Sequence, residues 1–201
     1  LIERKRGKGS WVLEPTIDQQ LVGLTGFVED MLSHGLEPKA RVVSTEVMAA
    51  DIIAARQLRI AEGSKVVRIE RLRLAGRRPI LFDVSTLPFE IGQRVVTEDL
   101  RSRPIFEILE GDLGIALNEA DYHIRAVAAE KRIGTHLRVR QGAPLLMIER
   151  TTYSKDGTPV DFENLYYRAD RMTFSLRLTR GGTRGELAGS GRTNLVDVSE
   201  A

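Results

Sequence analysis

Three charged side chains stand where a half-buried strand would place apolar ones: Arg71, Arg73 and Asp83, within "VVRIERLRLAGRRPILFDVSTLP" from Val66 to Pro88. The segment reads as a β-hairpin, because apolar residues alternate along both arms and Gly76-Arg77-Arg78 can turn the chain. A three-residue loop there sets Arg71 across from Asp83 and leaves Arg73 opposite Leu81. Two guanidiniums with one carboxylate leave positive charge uncompensated. A planar guanidinium fork suits a phosphate or carboxylate ligand, which it holds through paired N–H donors. The competing expectation is a set of cross-strand ion pairs on a solvated sheet face, worth about 0.2–1 kcal/mol each. On the anion-site reading, Arg73→Ala abolishes ligand binding and changes stability by no more than about 0.5 kcal/mol, as at most surface positions.

The elements that must position these residues occur twice. Leu58 matches Leu137, Gly63 matches Gly142, and Ile69-Glu70-Arg71 matches Ile148-Glu149-Arg150, all at one offset of 79 positions. Each copy reads as strand, helix, strand, strand: "ARVVSTEVM", "AADIIAARQLRI" and the hairpin in the first, "ADYHIRAVAA" opening the second. In the second hairpin a two-residue type I′ turn at Asp156-Gly157 sets Arg150 opposite Glu163. Two such units predict an α+β fold: one continuous antiparallel sheet, internally duplicated, with helices packed on one face. Leu72, Leu74, Ile80, Phe82 and Val84 mark the core face; Arg71, Arg73, Ser85 and Asp161 mark the other. Glu70 and Glu149 fall on the apolar face, where nothing in the pattern explains them. Further helices are predicted over Gln20–Ser33, by the spacing of Leu21, Leu24, Val28, Met31 and Leu32, and within "RPIFEILEGDLG".

Composition narrows the class. With 201 residues, 42% hydrophobic, 29% charged and no Cys, the chain has the profile of a cytoplasmic globular protein without disulfides or thiolate metal sites. No apolar run approaches the roughly 18 residues that span a bilayer, so no membrane partner is expected. The net charge of +2 argues for no nucleic-acid partner by itself. It is unevenly placed, however: Lys5, Arg6 and Lys8 crowd around Gly7 and Gly9 just before Trp11. The chain opens at Leu1 rather than Met, so sequence upstream is expected. From Arg180 it is rich in Gly and Ser and reads as a flexible tail. His34, His123 and His136 lack metal-ligand spacing, "GKGS" lacks the frame of a phosphate loop, and Ser85 and Thr86 lack triad partners. No metal or cofactor is expected.

"LTGFVEDMLSHGLEP", the two hairpin segments and the closing "YYRADRMTF" together resemble the UTRA ligand-binding domain of GntR-superfamily transcriptional regulators of the HutC type. The opening "RKRGKGSWV" resembles the end of that superfamily's winged helix-turn-helix, with Lys5, Arg6, Gly7, Lys8 and Gly9 as the DNA-contacting wing. The resemblance implies a chorismate-lyase-like fold over residues 20–179, after a wing remnant at 1–13 and a linker at 14–19, with the tail at 180–201. It implies a homodimer that binds a small anionic effector, phosphorylated or carboxylated, and modulates operator binding, as a repressor, through an N-terminal domain mostly absent here. Arg71 and Arg73 would hold the anion, helped by backbone N–H groups around Thr25, Gly26 and Phe27. Asp83 would contact ligand hydroxyls, with Glu163 and Tyr167 near the closing strand. Where phosphosugar binders carry Ser-x-Tyr, this chain has Pro104-Ile105-Phe106, which leaves a more apolar organic acid open and puts Phe106 beside the ligand. Two other readings stand beside this one: a chorismate-lyase-like enzyme acting on a small carboxylate, and a dimerisation module that binds nothing.

Overall fold

The computed structural model of the chain describes residues 2–5, 9–12 and 16–178. The wing residues Arg6, Gly7 and Lys8, linker residues 14 and 15, and the tail from 180 lie outside the described residues. Strands β1 (Ile2–Lys5) and β2 (Gly9–Val12) pair antiparallel, with Lys5 opposite Gly9. Strand β3 (Ile17–Gln20), much of it in the stretch read as linker, pairs in parallel with β10 (Met172–Ser175).

The duplication is carried into the structure element by element. The first unit contains β4 (Pro38–Ala49), α2 (Ile52–Leu58), β5 (Lys65–Ala75) and β6 (Arg78–Pro88). The second contains β7 (Leu117–Ala128), α5 (Lys131–Leu137), β8 (Pro144–Ser154) and β9 (Pro159–Arg168). Both inner helices end on a residue in the left-handed region, Arg59 at φ 53° and Arg138 at φ 57°. The two units join through β6 and β9 into one six-stranded antiparallel sheet of order β4-β5-β6-β9-β8-β7. The two central strands therefore bring the hairpins of both copies side by side.

The predicted registers hold for a different reason. Arg71 faces Asp83 and Arg150 faces Glu163. In the first hairpin the turn has two residues, Gly76-Arg77 between paired Ala75 and Arg78, and a bulge between Arg73 and Leu74 supplies the extra residue. In the second, Gly157 N–H donates to Ser154 O, so Lys155-Asp156 form the turn and Gly157 follows at φ 77°. A type I′ turn would need Asp156 at positive φ, and it is not. A bulge between Thr152 and Tyr153 then restores the expected pairing.

The helices cover both faces of the sheet, not one. On the Phe82 face, α5 packs Ile133 and Leu137 over Phe82, Val84 and Leu145, and α2 packs Ala54, Ala55 and Leu58 over Val66 and Phe162. On the arginine face lie α1 (Phe27–Ser33), α3 (Phe89–Val95) and α4 (Ile105–Glu107), the last continuing as a π-helical turn over Ile108–Asp112. There Val67, Ile69 and Leu87 meet Val95 and Ile108, while Leu81 and Leu165 meet Phe27 and Met31. The arginine face carries apolar residues at its two ends, so it too must be covered. Helix α1 is shorter than expected, since Ile17–Gln20 is strand and Gly26 caps the helix.

Candidate site on the arginine face of the sheet

Alternation along β5 and β6 places Arg71, Arg73, Asp83 and Ser85 on one face, and packing of α1 and α4 over that face removes them from water. Arg71 is 1% exposed, Asp83 2% and Arg73 6%. Asp83 joins the two guanidiniums: Arg71 Nε donates to Oδ1 at 3.0 Å and Arg73 Nε to Oδ2 at 2.8 Å. Burial alone would push the Asp83 carboxyl up, but Arg71 and Arg73 together hold it below the usual carboxylate range. Burial, reinforced by Arg71, lowers the Arg73 guanidinium, which still keeps its proton at neutral pH. The solvated-face expectation is therefore corrected: these are buried pairs, whose desolvation must be offset by good geometry.

The second copy contributes its own pair to the same cluster. Arg150 Nε donates to Glu163 Oε2 at 2.6 Å. Ser85 bridges the copies, accepting from Arg71 Nη2 and donating to Glu163 Oε1, both at 3.4 Å. Arg150 reaches further than sequence reasoning foresaw. Its Nη1 donates to Tyr122 Oη at 3.0 Å and to the Thr25 carbonyl at 3.1 Å, and its guanidinium lies 4.7 Å from the Phe106 ring centre. It thus ties β8 to the loop before α1 and to α4. The duplication was the signal for Arg150, since it is the match of Arg71; Tyr122 gave none.

Of the other expected residues, Phe27, Gly26, Phe106 and Tyr167 line the same cavity as Arg71 and Arg73. Thr25 adjoins it through its carbonyl, while its hydroxyl donates to Asp30 Oδ1 at 2.7 Å. The Gly26 N–H, expected to face an anion, donates instead to Glu29 Oε2 of its own helix at 2.9 Å. The enclosed space is about 30 Å³, room for a water or two and far below a metabolite pocket. Tyr167 is buried, which pushes its phenol up and keeps it protonated.

The floor of the cluster holds polar atoms with no partner among the described residues. Arg71 Nη1, Thr152 Oγ1 and both carboxyl oxygens of Asp161 are buried and unpaired. Thr152 and Asp161 face each other across β8 and β9. Burial, with the neighbouring Glu163 carboxylate, raises the Asp161 carboxyl well above its ordinary value and favours the neutral acid. Asp83 and Glu163 are paired with arginines, whereas Asp161 is a buried acid to which no described side chain donates.

Glu70 and Glu149, unexplained on the apolar face, have partners there. Arg132 of α5 clasps Glu70 at 2.6 and 3.0 Å, Arg68 adds a third contact at 3.0 Å, and Arg125 of β7 pairs with Glu149. The three histidines are dispersed: His34 Nε2 lies 3.0 Å from the Asp18 carbonyl, His123 is on β7, and His136 stacks on Phe82 at 5.0 Å. Among the described residues no cluster of metal-ligating side chains occurs, and no helix is long and apolar enough to cross a membrane.

Comparison with known proteins agrees with this architecture. The chain is 33% identical over 174 residues to the transcriptional repressor NagR of Bacillus subtilis, covering 87% of this chain and 71% of NagR. It is 20% identical over 184 residues to the Escherichia coli repressor MngR, covering 92% and 76%, and it spans 66% of a regulator from Mycobacterium tuberculosis. The crystal structure of PhnF from Mycobacterium smegmatis superposes with a TM-score of 0.79 at 23% identity, over 90% of this chain and 79% of PhnF. These relatives are regulators, not enzymes. Residues 33–173 match the UTRA domain, and the chain belongs to that family, the effector domains of GntR-type transcriptional regulators.

Proposed function

We propose that this chain is the effector-sensing and dimerising part of a cytoplasmic bacterial repressor of the HutC type, and that Arg71 and Arg73 receive a small anionic metabolite. The observation that carries the reading is Arg71 Nη1, a donor on a side chain only 1% exposed with no acceptor among the described residues. A buried donor left unpaired costs about 1–3 kcal/mol, which an anion's oxygen would recover. Asp83 and Glu163 are both engaged by arginines, which leaves neither as a ready general base and disfavours the lyase alternative.

Phe27 and Phe106 give the cavity an apolar flank, which fits a ligand with a hydrocarbon portion beside its acidic group. NagR and MngR are both repressors, and MngR is named for mannosyl-D-glycerate transport and metabolism, which supports a metabolite sensor here. A ligand of that size needs more than about 30 Å³, so α1 and the loop before it must lift. Arg150 is the residue that such movement would release, through its bond to the Thr25 carbonyl. That loop continues into β3, which leads toward the wing. Effector binding would thereby favour one arrangement of the dimer's DNA-binding heads over another, to the extent that the two arrangements differ in affinity for it.

The test is a thermal-shift screen against phosphosugars, inorganic phosphate, sulfate and small carboxylic acids. At least one anion is expected to raise the midpoint in a concentration-dependent way. A midpoint unmoved by every anion up to millimolar concentrations would favour the dimerisation module that binds nothing.

A further inference from the structure

The two copies of the repeat differ at one corner of the sheet. Thr45 through Ala49, the end of the edge strand β4, are all exposed, where a strand with one covered face would alternate. The run holds neither the Lys nor the Pro that commonly guards a free sheet edge. Directly after it, helix α2 begins with Ile52 and Ile53. Val47, Ile52 and Ile53 each leave more than half of their surface in water, and Met48 is exposed as well. Apolar surface gathered in this way marks a contact, whereas single exposed apolar residues do not.

The second copy shows that the repeat does not itself require these residues. At the offset of 79 positions, Ile52 and Ile53 correspond to Lys131 and Arg132, which open α5, and Val47 corresponds to Ala126 on β7. Arg132 clasps Glu70. The matching carboxylate, Glu149, takes its cation from β7 instead, through Arg125. Neither the unit's fold nor its carboxylate therefore calls for isoleucine at the start of α2. Charge selects the occupant. Glu46, Asp51, Arg56 and Lys65 stand around the apolar residues, all exposed and of both signs. Such a surface is self-complementary about a two-fold axis, which can set the carboxylates of one copy toward the cations of the other. A strongly acidic or basic partner would be matched by a single sign.

We propose that this corner, Val47 and Met48 of β4 with Ile52 and Ile53 of α2, is the surface through which two copies of the chain associate about a two-fold axis. The inference rests on reading the chain as the dimerising part of a regulator, and it names the surface that does so. The corner lies outside the effector cavity. It is close to that cavity in the sheet, however: β4 pairs with β5, Val47 facing Val67, and β5 carries Arg71 and Arg73. Dimer contact and effector residues thus sit on adjacent strands.

The experiment is sedimentation-velocity analysis of the 201-residue chain over a concentration series. The double variant Ile52→Lys with Ile53→Arg gives the first copy the residues that the second already uses. Val47→Lys is a separate variant that leaves α2 untouched, in case the double variant folds poorly, and circular dichroism checks each fold. The wild type is expected to sediment as a dimer. Each variant is expected to associate at least about a hundredfold more weakly, because two-fold symmetry puts every substitution in the contact twice. A wild type that is monomeric throughout would overturn the proposal and the dimer reading with it. Folded variants that dimerise as tightly as the wild type would overturn this surface and leave the dimer reading standing. The anion-induced midpoint shift is measured in parallel: its absence from a dimeric wild type would count against the effector reading alone.

Discussion

Arg73 is the residue whose burial alters expectation most. Its pairing position was legible in the hairpin pattern, whereas its burial was not, because that depends on α1 and α4, which come from distant parts of the chain. The expected stability change of no more than about 0.5 kcal/mol for Arg73→Ala therefore does not apply. Removing one partner of a buried pair costs about 3–5 kcal/mol, and since Arg71 still holds Asp83 the loss here is expected near 3 kcal/mol, measurable by urea denaturation. Asp161 predicts the opposite sign. Its folded-state pKa lies above the unfolded value of 3.8, so its contribution to stability is fully present below that value and is lost as pH rises toward the folded pKa. Asp161→Asn removes this loss, so its stability relative to wild type should grow with pH above about 4 and then level off. A difference independent of pH would show that Asp161 ionises normally. Asp83, with a depressed pKa, runs the other way: its contribution is present above 3.8 and is lost as acid protonates it.

At the scale of elements, the duplication made most of the sheet legible. The 79-residue offset predicts equivalent strands, and even the left-handed caps Arg59 and Arg138 recur in register. Arg138→Gly is expected to stabilise the fold by about 1 kcal/mol, because only glycine adopts this conformation without a steric penalty; thermal denaturation checks it. What the sequence hid was helix α3, together with the placement of the two predicted helices, α1 and α4, over the arginine face. Helix α3 begins directly after the last residue of β6, and its seven residues carry too little periodicity to separate from a strand. Its glycine has a packing role: a Cβ on Gly92 would lie 2.4 Å from Val67 Cβ. Gly92→Ala should therefore push α3 off β5 and cost about 1–3 kcal/mol, as overpacking does, visible as a lower midpoint. Turn chemistry was the other weak point. Both hairpins reached the expected registers through bulges, which shift pairing by one residue and leave no clear mark in the sequence.

For the whole molecule, fusion of two similar units places an Arg–carboxylate pair from each copy on one face, linked by Ser85. A single unit would hold half the cluster. The join also gives the site two independent anchors, with β5 and β6 fixing Arg71 and Arg73 while β8 and β9 fix Arg150, so a ligand between them would feel both halves. The central claim, that this cluster receives an anionic effector, is tested most directly by calorimetric titration of a sugar phosphate or organic acid that stabilises the chain, beside the neutral analogue lacking its acidic group. Wild type and Arg73→Lys are compared, the lysine keeping the charge but losing the fork. The account predicts that the acidic ligand binds the wild type, that its neutral analogue binds at least about tenfold more weakly, a loss of about 1.4 kcal/mol, and that Arg73→Lys narrows that gap. Equal affinity for the acidic and neutral forms, or an Arg73→Lys variant indistinguishable from wild type, would contradict it.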